Sequence, residues 1–167
     1  YPRDKQGCIV CIATSALNKD TLSMYLGSTF SKLTNEECAR LIDAGDVRTY
    51  HSGDVIIGEG DTLQALMLIK TGNVRVTRTY LDDLSAEFTG PLGPGEVVGE
   101  MSFIDGKGAS ANLIADGITE MLVLPRDQIE KILADEPTLA GRFYESLFLV
   151  LARKLRATNM RVLPVSP

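Results

Sequence analysis

Gly99-Glu100-Met101-Ser102-Phe103-Ile104-Asp105-Gly106-Lys107-Gly108-Ala109-Ser110-Ala111-Asn112-Leu113-Ile114-Ala115 is the stretch around which this chain is organised. It follows a Gly/Pro-punctuated approach, Gly90-Pro91-Leu92-Gly93-Pro94-Gly95-Glu96, in which no helix or strand of ordinary length persists. That approach is expected to be a loop feeding a pocket. Gly99 to Ile104 reads as one short helical turn, whose free backbone N–H groups and positive dipole end can receive an anion. Asp105-Gly106-Lys107-Gly108 reads as a turn, and Ala109 to Ala115 as a strand. Helical turn, glycine turn and strand, in that order, can wrap a small anionic ligand with backbone donors alone.

Outward from this stretch the chain reads as a helical start, a β body and a helical end. Residues 18 to 30 carry Leu22, Tyr25, Leu26 and Phe30 at helical spacing. A second helix is announced by Thr34 as cap, Glu37 completing a capping box and Leu33 placed to staple onto Cys38. Its buried face is Cys38, Leu41 and Ile42, and Gly45 is placed to end it. From Val47 to Leu124, glycines cut the chain into short segments rich in β-branched residues. Val74 and Val76 alternate with Arg75 and Thr77 at the period of a half-buried strand. Short strands with glycine turns indicate a sandwich or small barrel. Ile118 to Leu124 is expected to be the last strand, ended by Pro125. Asp127 is placed to cap a short helix containing Ile129, Ile132 and Leu133, which Pro137 separates from a longer one.

The central stretch resembles the cassette of cyclic-nucleotide-binding domains, the family of catabolite-activator-type regulators, kinase regulatory subunits and gated channels. In that family a Gly-Glu pair opens the cassette and its glutamate accepts from the ribose 2′-hydroxyl. A Pro-Arg or Ala-Arg pair some eight residues later sets a guanidinium on the cyclic phosphate. Here the first pair matches Gly99 and Glu100, whereas the second falls on Gly108 and Ala109. The similarity runs from about Phe30 to about Met160. Gly53-Asp54-Val55-Ile56-Ile57 and Glu59-Gly60-Asp61 are similar to the family's first strands, and Ile69 to Val76 to its glycine-turn hairpin. Leu92-Gly93-Pro94-Gly95 is similar to the loop leading into its cassette, and the helices after Pro125 to its lid. The resemblance implies an α+β, mainly β fold, an eight-stranded antiparallel jelly roll flanked by N-terminal helices and a C-terminal helical lid. It divides the chain into an N-terminal segment (1–29), the domain itself (30–160) and a tail (161–167).

By the same resemblance the ligand-facing positions are Gly99, Glu100, Met101, Ser102, Lys107, Ala109, Ser110 and Ala111. A guanidinium on a phosphate is a charge-assisted, often bidentate pair. Losing one partner of such a pair costs roughly 2–5 kcal/mol, which weakens cAMP or cGMP by roughly thirty-fold to several thousand-fold. Lys107 and the Ser110 hydroxyl, with the N–H groups around it, are the local candidates for partial rescue, though Lys107 also reads as a solvated turn residue. Glu100 reads either as the acceptor of a sugar hydroxyl or as a first-turn residue that caps neighbouring N–H groups. Ser102 reads as the cap of the helical turn.

The remaining sequence bounds the function. With 167 residues the chain supports one well-buried core. A formal net charge of −5 and a pI near 4.9 argue against a nucleic-acid-binding surface. Leu147 to Ala152, the longest apolar run, is too short to cross a bilayer. No secretory signal is visible, which favours the cytoplasm. The start at Tyr1 suggests a piece of a longer protein with a fused or associated effector, and no helix-turn-helix fits after the last helix. Cys8-Ile9-Val10-Cys11 has redox or half-zinc spacing, but a zinc site would also need Cys38 and the single histidine, His51, to converge. The alternative is a short apolar element with the cysteines as small hydrophobes. His51 reads as a strand-end surface residue. No nucleophile with a nearby histidine, metal-ligand set or Walker-type loop is present, so no enzyme activity, metal or cofactor is expected.

The final helix, from about Thr138 to Asn159, carries Leu139, Phe143, Leu147, Leu151 and Leu155, with Ala140, Tyr144, Phe148 and Ala152 beside them. This apolar face is wider than packing on one sheet requires. It is explained either by burial within the domain or by a homodimer sharing like helices. Arg153, Lys154, Arg156 and Arg161 read as a solvated terminus. Two function classes result: a sensory module whose C-terminal helices close over a bound nucleotide or small anion, and a ligand-independent dimerisation or interaction domain.

Overall fold

Two long strands with both faces buried set the architecture. The computed structural model describes residues 10–79 and 85–161, with side chains described over 19–78 and 90–159. The elements are α1 (Val10–Thr29), α2 (Asn35–Asp43), β1 (Asp46–Tyr50), β2 (Val55–Ile57), β3 (Ala65–Thr79), β4 (Ser85–Leu92), β5 (Val97–Val98), α3 (Glu100–Asp105), β6 (Asn112–Pro125), α4 (Arg126–Asp135) and α5 (Pro137–Arg161). The described sheet is antiparallel in the order β1-β6-β3-β4, with β2 paired to β6 and β5 to β3.

Alternation along Leu66 to Ile69 and Met121 to Leu124 explains the two layers. Leu66, Leu68, Leu122 and Leu124 pack outward on the helices, in a cluster with Leu22, Leu26, Phe30, Cys38, Leu41 and Phe143. Met67, Ile69, Met121 and Val123 point inward with Val74, Val76, Leu113 and Ala111. A strand covered on both faces reads as a continuous apolar run rather than an alternating one.

The α+β, mainly β jelly-roll class holds, but the described strands number six rather than eight. The Ile69–Val76 segment is not a hairpin. β3 runs straight through it, paired along its length with β6, and the register slips at Ile69/Thr71 and Thr71/Asn73. Gly72, at φ +81° and so placed that a β-carbon would lie 2.4 Å from the Ile118 carbonyl oxygen, takes up that bend within the strand. On β6 the bend falls at Gly117, so the expected strands Ala109–Ala115 and Ile118–Leu124 are one element, which starts at Asn112. Glu59-Gly60-Asp61 is a turn rather than strand.

The helices follow their signals with small departures. Thr34 and Glu37 form the expected capping box, and Leu33 joins the same apolar cluster as Cys38. α2 ends with Ala44 as its cap, one residue before Gly45. α4 begins directly after Pro125, so Asp127 lies inside the first turn and makes no cap bond. The Cys8 and Ile9 expectation lies outside the described residues, as does the Cys11 side chain; Cys38 is fully buried and His51 is exposed after β1. No described helix is long and apolar enough to cross a membrane.

Candidate functional site

The cassette is built on a glycine that no other residue replaces without movement. Gly99 stands at φ +84° as the cap before α3, and a β-carbon there would lie 2.5 Å from Leu63 Cδ2 and 2.9 Å from the Ala65 carbonyl oxygen. Its carbonyl accepts from the Phe103 N–H at 2.9 Å, which closes the single turn of α3. Ser102 does not cap this turn: the cap is Gly99, without a side-chain bond, and Ser102 is buried inside the helix. Met101 points outward, its Sδ 4.0 Å from the exposed Ser110 hydroxyl.

The far side of the cassette docks on the turn between β2 and β3. Ala109 N–H donates to the Asp61 carbonyl at 2.9 Å, and Gly60 N–H donates to the Ala109 carbonyl at 2.8 Å. Gly108 lies flat against Gly60, where a β-carbon would come within 2.5 Å of the Gly60 oxygen. Ala109 and Ala111 pack against the inner apolar cluster. Lys107 N–H donates to Asp105 Oδ1 at 3.0 Å, its ammonium lies 4.0 Å from the same carboxylate, and its side chain is 82% exposed. Gly106 N–H serves the Ser102 carbonyl. Three amides of the cassette are thus engaged within the protein, those of Gly106 and Lys107 inside the loop and that of Ala109 on the Asp61 carbonyl.

Glu100, the first residue of α3, is buried and ion-paired. Lys154 of α5 donates to Glu100 Oε1 at 2.8 Å and to the Val97 carbonyl at 2.6 Å. The reading of the α5 basic cluster as wholly solvated is therefore corrected at Lys154, whose side chain is two-thirds buried. A second contact joins the same elements: the rings of Phe103 in α3 and Phe143 in α5 meet edge to face, 6.0 Å apart. Phe143 also stacks on Phe30 at 5.2 Å, and the Arg126 guanidinium covers Phe103, 4.7 Å from its ring centre. Phe143 and Lys154 are eleven residues apart, about 16 Å along a helix, so the six-residue cassette helix grips α5 at two well-separated points. A cleft of about 220 Å³ adjoins the grip, lined by Thr29, the Gly95–Val97 loop and Val150, Arg153, Lys154 and Ala157; no residue of 99–111 lines it.

Of the positions read from sequence, Gly99, Glu100, Ser102, Ala109 and Ala111 lie in or against the interior, and Met101, Lys107 and Ser110 on its rim. Lys154 and Phe103 escaped that reading. Phe103 stood in the open as the one aromatic residue of the cassette, but nothing in the spacing of four basic residues singles out Lys154.

Residues 47–136, just over half of the chain, match the family described as the cyclic nucleotide-binding domain. The chain belongs to that family. Among its relatives, the cyclic AMP receptor protein of Thermus thermophilus is 35% identical over 133 residues, covering 80% of this chain and 59% of that protein. A cGMP-dependent protein kinase of Caenorhabditis briggsae is 29% identical over 67% of this chain, which spans 15% of the kinase. The crystal structure of a cyclic nucleotide-binding domain from Methylobacillus flagellatus superposes with a TM-score of 0.79 at 28% identity, covering 89% of this chain and 86% of that one. This cyclic nucleotide-binding domain thus spans less than two thirds of the curated relatives it matches first.

Proposed function

We propose that the domain is a sensory module: a cyclic nucleotide or related small anion engages the cassette weakly, and α5 carries the event to a fused or associated effector. The observation that carries this reading is the Lys154–Glu100 pair. A carboxylate has two oxygens. With Lys154 on Oε1, the other oxygen serves a ligand hydroxyl. An anionic ligand beside a buried carboxylate raises the demand for a cation there, so ligand binding and docking of α5 reinforce one another. Such positive coupling requires the ligand to favour the docked state. In this reading the chain is a cytoplasmic regulatory domain that neither catalyses nor binds nucleic acid by itself. Calorimetric titration with cAMP and cGMP up to millimolar concentration tests it: saturable one-site binding supports the sensor, and no heat from either nucleotide rejects it.

A second reading rests on a separate observation. Tyr144, Phe148 and Leu155 share one face of α5, and Phe148 and Leu155 are 58% and 63% exposed. A homodimer through this stripe covers them. Sedimentation velocity distinguishes a dimer from a monomer, and it does so whether or not a nucleotide binds.

A further inference from the structure

The cleft beside the Glu100–Lys154 pair lies between α5 and the loop before β5. Val150, Arg153, Lys154 and Ala157 line it from α5, and their spacing of three and four residues sets them on one helical face. The loop Gly95–Val97 forms the other wall and is pinned in place. The buried Thr29 hydroxyl donates to the Gly95 carbonyl at 2.8 Å, Gly95 N–H to the Ile69 carbonyl at 2.8 Å, and Ile69 N–H to the Glu96 carbonyl at 2.9 Å. Lys154 ties the walls together through the Val97 carbonyl, 2.6 Å from its ammonium. The space of about 220 Å³ is therefore preformed.

Opposite charges line the opposite walls, Arg153 on α5 and Glu96 on the loop, and both are exposed. Among the described residues, Arg153 has no hydrogen-bond or ion-pair partner. Glu96 spends one carboxylate oxygen, Oε2, on the Gly93 N–H at 2.7 Å, and Oε1 is left over. No ion pair joins Glu96 to Arg153. The remaining charge of the cleft, Lys154, is already matched by Glu100 at 2.8 Å. A cleft lined only by unmatched cations would suit a plain anion. This one offers a guanidinium and a carboxylate oxygen, each without its counter-charge.

We infer that this cleft is a binding site for a small zwitterion of the amino-acid class, its carboxylate on Arg153 and its ammonium on Glu96 Oε1. A guanidinium takes a carboxylate through paired N–H donors, and an ammonium donates to the free carboxylate oxygen. An ion with only one of these charges engages one wall and meets a like charge on the other. Size selects in the same direction: the space is smaller than the ~300–1,000 Å³ of sites for drug-sized ligands, so the occupant is small. No residue of 99–111 lines the cleft, so this site stands apart from the cassette and from any nucleotide there.

Amide chemical-shift titration of the unmodified chain with glycine, β-alanine and γ-aminobutyrate, beside acetate and methylammonium as single-charge controls, tests this. The expected result is saturable shifts at residues 95–97 and 150–157 with at least one zwitterion. Its Kd should be on the order of a millimolar, the range open to a ligand of about half a dozen non-hydrogen atoms, and at least about fivefold below that of either control. Arg153→Gln and Glu96→Gln should each weaken that zwitterion at least about fivefold, and Arg156→Gln, exposed and outside the cleft, less than about twofold. Glu96→Gln keeps a carbonyl for the Gly93 N–H, so the loop retains its support. Acetate binding as tightly as every zwitterion, or a zwitterion indifferent to Glu96→Gln, would reduce the cleft to a plain anion contact and overturn the inference. Absence of saturable shifts at 95–97 with all three zwitterions overturns it as well. Titration with cAMP is read separately, so the sensory reading stands or falls on its own.

Discussion

The Lys154 ammonium lies 2.8 Å from Glu100 Oε1 and 2.6 Å from the Val97 carbonyl oxygen, joining the last turns of α5 to the first residue of the cassette helix. Lys154→Met keeps most of the apolar stem and leaves a buried carboxylate without its cation. An unpaired buried group of this kind costs about 1–3 kcal/mol. The expected result is an unfolding free energy lowered by that amount, read as a lower urea midpoint, with Glu100→Gln/Lys154→Met recovering part of the loss. A midpoint unchanged by Lys154→Met contradicts the pairing.

Glu37 gives the domain a defined response to acid. Burial pushes its carboxyl up, but the Thr34 N–H at 2.8 Å, the Arg142 guanidinium and the Thr34 hydroxyl together outweigh burial and hold it below its ordinary value of 4.5. A carboxyl with a depressed folded-state pKa contributes stability above its unfolded value and loses it as pH falls through the folded one. Stability should therefore drop more steeply below pH 4.5 in the unmodified protein than in Glu37→Gln, as measured by urea unfolding at a series of pH values. Equal slopes would show that the pair is not formed.

Much of this was legible in the sequence, and the reasons differ by element. The Thr34–Glu37 box and the order Gly99, helical turn, glycine turn are local signals, and local signals survived folding. The strand count did not, because Gly72 and Gly117 look like turn residues whether they end a strand or bend one. Pairing between β3 and β6 decides between those outcomes, and pairing is not a local property. At the site, Glu100 and Ala109 were picked out by the resemblance to the family's cassette, whereas Lys154 reaches Glu100 across 54 residues, a pairing that no local pattern announces.

Gly99 ought to be intolerant of substitution. Gly99→Ala places a methyl against Leu63 and the Ala65 carbonyl at a backbone angle that L-residues avoid. A strained position of this type costs about 1–3 kcal/mol. Thermal unfolding should show the loss, whereas Gly53→Ala, also at positive φ but with open space around it, should lose less. Equal losses at both sites would show that the close approach at Gly99 does not matter.

Phe148→Glu/Leu155→Glu probes the exposed stripe of α5. Both side chains are more than half exposed, so the monomer's stability should change by less than about 0.5 kcal/mol. If the stripe is a dimer interface, sedimentation velocity shows the unmodified chain as a dimer and the double variant as a monomer. A monomer in both cases rejects the interface.

The most direct test of the central claim, that α5 reads cassette occupancy through Lys154, is hydrogen exchange at residues 150–159 with and without saturating cAMP, in the unmodified chain and in Lys154→Met. Slower exchange on adding cAMP to the unmodified chain, with little or no slowing in Lys154→Met, is the predicted result. Exchange that cAMP leaves unchanged in the unmodified chain, or slows equally in both proteins, would contradict it.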